Sequence, residues 1–306
     1  MLEAIRQSGI ASALLFALLF NACQATPQVK EATPREIHTT DYDLIIPAEQ
    51  KALLILFPCF SCDAADTRSE SKITYEAVSN GIAVMLMNFN RHIMMSDAEE
   101  DTVLATIVQA VKENKLKADN TFIGGFSSGG NVSFLLAKAL AKSPRSQVDL
   151  KGAFAVDSPL DLSHLYVSSK RRVERPSFPE FKGEARMVVA LLDSTLGDPV
   201  MQAGSYEARS PLMNTAASAL PLKELPVRLY TEADTAWWRT NRDDSYEDMN
   251  AYSLELLQKT LCGVGNERAE LIATKDRGIQ HGNRHPHAWS IVDEKELVKW
   301  IQVLSN

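Results

Sequence analysis

Thr121-Phe122-Ile123-Gly124-Gly125-Phe126-Ser127-Ser128-Gly129-Gly130-Asn131-Val132 decides how this chain is read. An apolar, strand-like run enters a glycine-flanked serine, and a helix-like run through Ala137 leaves it. A serine lifted onto a strained turn between strand and helix needs small neighbours, because side chains there would collide with the adjoining elements. The helix that follows aims its N-terminal amides at the place where negative charge develops in acyl transfer. Gly125-Phe126-Ser127-Ser128-Gly129 thus has the G-x-S-x-G spacing in its required strand–turn–helix setting. Centring the pattern on Ser128 would put Phe126 where the first glycine belongs, so Ser127 is the nucleophile candidate. Ser128 is expected to offer its backbone N–H to an oxyanion.

Outward from this turn, strand-like and helix-like runs alternate. Leu44 to Ile46 is short and apolar. Ala52 to Phe57 and Ile82 to Met87 are continuous apolar runs, as expected of strands buried on both faces. Ser69 to Ser79 predicts a helix. Glu99 to Glu113 predicts an amphipathic one, with Val103, Ile107, Ala110 and Val111 at helical spacing. Ser133 to Ala141 continues the helix after the turn, and Leu150 to Val156 is the next strand. From Pro159 to Leu225 the alternation stops, leaving helix-like pieces and no clear strand. It resumes with strand Val227 to Tyr230, a helix from about Ser245 to Leu261, strand Ala269 to Ala273 and a last helix, Glu294 to Val303. This pattern predicts an α/β fold with a doubly wound, mostly parallel sheet.

The 306 residues fit one large α/β domain or two smaller ones. A formal charge of −7 argues against nucleic acid as a partner, which needs clustered Lys and Arg. The short cluster Lys170-Arg171-Arg172 reads as a solvated helix face. At the N-terminus, Ile10 to Phe20 follows Arg6 and has the length of a signal-peptide apolar region rather than of a membrane span. Asn21-Ala22-Cys23 resembles the bacterial lipobox, which implies cleavage after residue 22, lipidation of Cys23 and a membrane partner through a lipid anchor. Phe20 and Asn21 depart from the usual residues there. Residues 23–40, polar with Pro27 and Pro34, read as a flexible tether. The expected location is the bacterial cell envelope.

The organisation around the serine turn resembles the α/β-hydrolase superfamily over nearly all of the chain after the tether. That resemblance implies one domain over residues 41–306, with a helical cap inserted at about 158–225. It also implies a chain order of serine, acid, histidine. The family's histidine precedes the final helix, where this chain has His281, His285 and His287; His287 is nearest that helix and is the favoured base. The acid usually follows the strand after the cap, which favours Asp234. Glu232 and Asp157, at the ends of two strands, stay open as alternatives. The second oxyanion N–H is implied for Phe60, in a loop reading Pro58-Cys59-Phe60-Ser61-Cys62 where the family often has His-Gly. Trp237 and Trp238 are candidates for the acyl-pocket wall. The implied activity is ester hydrolysis on a small-molecule or acyl substrate, without cofactor or metal. Peptidase and acyltransferase chemistry remain open, because the same triad serves them.

Cys59-Phe60-Ser61-Cys62 carries a competing reading. A C-x-x-C after a buried strand resembles a thiol redox motif, although no thioredoxin-sized unit surrounds it. A structural disulfide is the plainer account in an exported chain. Zinc spacing with the histidine loop is lacking. A non-catalytic hydrolase-like binding protein is a further alternative, against which the full set of triad candidates argues.

Overall fold

A computed structural model of the chain describes residues 33–144 and 147–305. The expected signal peptide, Cys23 and the first part of the expected tether lie outside the described residues.

The chain begins with strands β1 (Arg35–His38), β2 (Tyr42–Ile46) and β3 (Ala52–Phe57). Helices α1 (Ala64–Glu70) and α2 (Ile73–Ser79) lead to β4 (Ile82–Met87), α3 (Asp97–Asn114) and β5 (Thr121–Phe126). The elbow helix α4 (Ser128–Lys142) and β6 (Leu150–Val156) come next. Four helices then intervene: α5 (Leu162–Glu174), α6 (Lys182–Thr195), α7 (Ala203–Arg209) and α8 (Ala216–Ala219). After them the chain returns to β7 (Val227–Thr231), α9 (Thr235–Arg242), α10 (Asn250–Gly263) and β8 (Ala269–Ala273). A small hairpin, β9 (Ile279–Gln280) and β10 (Asn283–Arg284), precedes the last helix, α11 (Glu294–Leu304).

Eight strands form one sheet in the order β1-β2-β4-β3-β5-β6-β7-β8. Only β1 and β2 run antiparallel to their neighbours; from β4 onward every pairing is parallel. The central strands β3, β4 and β5 are buried along their whole length, which is why they read as unbroken apolar runs. Helices α3, α4 and α10 cover one face through Leu104, Ile107, Leu136, Leu254 and Leu257. Helices α1, α2 and α11 cover the other through Ala64, Ile73, Ala77, Leu297 and Ile301. The strand order reverses direction at β3 and β5, so their C-terminal ends open the crevice where ligands bind in such sheets.

Several elements depart from the sequence expectation, among them the helix expected over Ser69 to Ser79, which is broken between α1, ending at Glu70, and α2, starting at Ile73. Residues 35–38 form an edge strand, so ordered structure begins inside the stretch expected to be tether. Its sequence, Arg-Glu-Ile-His, is mostly exposed and carries no apolar run to announce it. Helix α9 also went unforeseen, because none of its residues is fully buried.

The helices between β6 and β7 have their own core. Leu162, Leu165, Tyr166, Val188, Leu192 and Tyr206 pack together, with Phe60 and Ile93 of the sheet domain joining them. Arg171 and Arg172 correct the expectation of a solvated face. Arg171 Nε is 2.7 Å from Asp248 Oδ1, and Arg172 Nη2 is 2.9 Å from Asp244 Oδ2. Both carboxylates are buried, and Arg175 bonds to both. Burial opposes ionisation of Asp248, but bonds from Arg175 and from the Ser245 amide and hydroxyl outweigh it and hold its pKa down to about 2.

Candidate active site

Ser127 sits at φ 55°, ψ −125°, between the end of β5 and the start of α4. Its amide donates to the Val156 carbonyl oxygen at 2.9 Å, which ties the turn to the end of β6. The glycines around it are there because nothing else fits. A Cβ on Gly125 would meet the backbone of Gly129 at 2.3 Å, and one on Gly129 would meet the Phe57 carbonyl oxygen at 2.3 Å. At Gly130 a Cβ would come within 2.0 Å of Ser158 Oγ. The elbow therefore packs backbone on backbone against the ends of β3 and β6.

His287 stands over this serine. Its Nε2 is 3.1 Å from Ser127 Oγ, and its Nδ1 is 2.6 Å from Asp157 Oδ2. Asp157 follows β6 directly, at φ 43°, with its side chain 7% exposed. The second carboxylate oxygen accepts from Thr231 Oγ1 at 3.1 Å, and the Asp157 carbonyl oxygen accepts from Asn250 Nδ2 at 2.8 Å. Phe126 lies against the His287 ring, with centroids 4.5 Å apart. These contacts fix the imidazole on three sides, between a carboxylate, a ring and the serine.

Asp234, expected as the acid, is not brought to His287. It caps α9, accepting from the Trp237 amide at 2.9 Å, and its other oxygen is 2.8 Å from Arg284 Nη2. Glu232 is also engaged elsewhere. Buried, it accepts from the Arg277 amide at 3.0 Å, the Gly278 amide at 3.1 Å and Thr274 Oγ1 at 3.1 Å, and it pairs with Arg284. Glu232 thus holds the loop that carries the histidines. The carboxylate facing His287 is Asp157, one strand earlier, reached because β6 lies next to β5 in the sheet.

The other two histidines separate cleanly. His281 is exposed, near Glu70 at 3.3 Å. His285 packs against Trp237 and Trp238, with ring centroids at 4.7 and 6.0 Å. Its Nδ1 lies 2.9 Å from the His287 carbonyl oxygen, so it braces the His287 backbone. Burial, with the neighbouring His287 adding to it, pushes its pKa down to about 4, so the ring is neutral at ordinary pH.

The loop after β3 lies beside the elbow. Cys59 and Cys62 are joined in a disulfide across one turn, with the Cys62 amide donating to the Cys59 carbonyl oxygen at 3.1 Å. The Phe60 carbonyl oxygen accepts from the Arg91 amide at 2.8 Å, and the Cys62 carbonyl oxygen from Asn90 Nδ2 at 2.6 Å. The first-turn amide of Ser128 has no acceptor within its own helix, and the loop after β3 meets the elbow through the Phe57 and Pro58 carbonyl oxygens, which lie against Gly129. Among the described residues, no group of three His, Cys, Asp or Glu side chains is placed to hold a metal ion.

A cavity of about 350 Å³ opens on Ser127, Asp157 and His287. Its far wall comes from α5, α6 and the turn between them, including Ser169, Arg172, Phe178 and Val188. Trp238, His285 and Arg242 close one side. Trp237 is not in this wall but stacks edge-on against Trp238.

Neither a family model nor a curated protein sequence matches the chain. Solved structures do. Carboxyl esterase 2 from the mycorrhizal fungus Tuber melanosporum aligns over 93% of this chain and 87% of its own, at TM-score 0.54 and 13% identity. MPT51 from Mycobacterium tuberculosis aligns over 90% and 98%, at TM-score 0.56 and 12% identity. An esterase from Pyrococcus furiosus aligns over 89% and 91%, at TM-score 0.54 and 11% identity. With the sheet order, the elbow and these likenesses taken together, the chain has the α/β-hydrolase fold.

Proposed function

We propose that this protein is a serine hydrolase of carboxylic esters, with Ser127 as nucleophile, His287 as base and Asp157 as the orienting acid. The observation that carries the reading is the contact chain Ser127 Oγ, His287 Nε2, His287 Nδ1, Asp157 Oδ2, at 3.1 and 2.6 Å. In the reaction, Ser127 Oγ attacks the ester carbonyl carbon and its proton passes to His287 Nε2. The carbon–oxygen bond to the alcohol breaks, and His287 returns the proton to the leaving oxygen. Water then attacks the acyl-enzyme by the same relay, releasing the acid and restoring the serine. Asp157 holds the imidazole in the tautomer that presents Nε2 to the serine. The amides of Ser128 and Phe60 are the proposed oxyanion donors.

Fluorophosphonate labelling followed by peptide mapping tests the reading, with hydrolysis of a 4-nitrophenyl ester as the second readout. Label on Ser127, lost in Ser127→Ala and kept in Ser128→Ala, is the expected result. A folded protein that takes no label and turns over no ester would sink it.

The location belongs to the same proposal: export, cleavage before Cys23, and a lipid anchor on that cysteine. The Cys59–Cys62 disulfide supports an oxidising compartment, since such bonds are rare in a reducing cytosol. Fractionation of Cys23→Ser, with mass spectrometry of the mature N-terminus, checks it. An unmodified Cys23 in the membrane fraction overturns lipidation.

A further inference from the structure

Arg242 ends α9 and lines the cavity that opens on Ser127 and His287. The other cations of that wall are already committed. Arg172 and Arg175 share the buried carboxylate of Asp244, at 2.9 and 3.1 Å, and Arg175 also pairs with Asp248. Lys182 donates to the carbonyl oxygens of Val173, at 3.2 Å, and Arg175. Arg242 differs. Among the described residues, no carboxylate forms an ion pair with it, and its one hydrogen bond is to its neighbour's carbonyl, Asn241 O, at 2.8 Å.

What holds its guanidinium is aromatic. It lies 3.5 Å from the centroid of Phe181 and 5.4 Å from that of Trp237. Stacking of this kind fixes the plane of the group while leaving its edge donors available. The acidic groups around it do not neutralise it. Asp244 is spent on two arginines, and Glu180 and Glu184 are exposed at the cavity rim. Burial keeps the Arg242 pKa below its ordinary value, with Asp244 and Glu184 opposing that shift, and the group stays charged. A charged, half-buried, plane-fixed arginine with unused donors, lining the cavity that opens on Ser127, is short of an anion.

Resting on the serine-hydrolase reading, we infer that Arg242 is a specificity residue that binds a carboxylate carried by the ester substrate. A carboxylate suits the site better than a phosphate. One guanidinium edge matches a planar monoanion, whereas a dianion calls for a second free cation, and Arg172, Arg175 and Lys182 are occupied.

The test uses mono-4-nitrophenyl glutarate and its methyl ester, which share the 4-nitrophenyl ester followed by nitrophenol release and of which only the first carries a free carboxylate. Wild-type protein should prefer the anionic ester by about tenfold or more in kcat/KM, the scale of one charge-assisted hydrogen bond. Arg242→Gln should remove that preference, lowering kcat/KM for the anionic ester about tenfold more than for the neutral one, with Arg242→Lys in between. A second arm is independent of turnover: calorimetric titration of glutarate into Ser127→Ala and into Ser127→Ala/Arg242→Gln, each first shown to melt as wild type does. Glutarate binding that depends on Arg242, with neither ester hydrolysed, supports the anion site and refutes the hydrolase reading. Hydrolysis of both esters with an anionic-to-neutral ratio unchanged by Arg242→Gln overturns the inference and leaves the hydrolase standing. Absence of glutarate binding to Ser127→Ala overturns it as well.

Discussion

The ends of β6 and β7 are adjacent in the sheet, and each delivers carboxylates toward the same crevice. At β6 it is Asp157; at β7 it is Glu232 and Asp234. The first faces His287 and spends its other oxygen on a threonine hydroxyl. The other two face backbone amides and Arg284. The residue types are alike and the places nearly so, yet one end meets the His287 imidazole while the other holds the loop that carries it. The difference lies in what each carboxylate meets. Under the proposed hydrolase reading, a carboxylate whose partner is this imidazole tunes chemistry, and one already surrounded by amides and a guanidinium is structural.

Substitutions can break this comparison. Ser127→Ala should abolish turnover, with a loss on the order of 10⁵-fold or more, measured as kcat on a 4-nitrophenyl ester. Asp157→Asn should cost on the order of 10⁴-fold in turnover while the protein stays folded, because the imidazole loses its orienting anion. Asp234→Asn should leave turnover within a few-fold. If Asp234→Asn is the dead variant and Asp157→Asn is active, the two strand ends have been assigned the wrong way round.

The β7 end is better probed by stability. Glu232→Gln leaves Arg284 beside a neutral amide in a largely buried place. It should destabilise by about 3 kcal/mol, read from denaturant unfolding, with lower activity following from a loosened histidine loop. Asp234→Ala removes a helix cap and should cost about 1 kcal/mol. A smaller effect concerns His285. In the folded chain it takes a proton only near pH 4, while an unfolded histidine takes one near 6.5. Between those values the unfolded chain binds more protons, so stability falls as pH is lowered through that window. His285→Gln should flatten that part of the stability profile.

Much of this was legible in the residues. Strands β3 and β4 fall on the apolar runs that predict them, because strands packed between two helical layers are apolar throughout; β6 and β8 also fall where expected, although Lys151 and Glu270 interrupt their apolar runs. Where the alternation stops, from 159 to 225, the described residues form helices and no strand, as the pattern there predicts. The tight turn at Ser127 was legible because steric demands there dictate small residues at fixed spacing. The loop before the last helix, from which His287 meets Ser127, was legible from its place in the chain. Edge strand β1 and helix α9 were not, since neither buries a continuous apolar face. The arginines of α5 read as solvated because their partners, Asp244 and Asp248, lie more than seventy residues onward in the chain.

By itself the sequence determined the layered α/β architecture, the serine on its tight turn and the loop whose histidine meets it. Each rests on local rules: burial on two faces, clash at a tight turn, position relative to one helix. Only the tertiary structure decided which carboxylate meets the imidazole, whether Cys59 and Cys62 pair, and which arginine of the cavity is left without a counter-charge. Those outcomes depend on distances between groups far apart in the chain. Electrostatic and hydrogen-bond energies fall steeply with separation, so a carboxylate at 2.6 Å from Nδ1 and one held by Arg284 cannot be told apart until the strands are laid side by side.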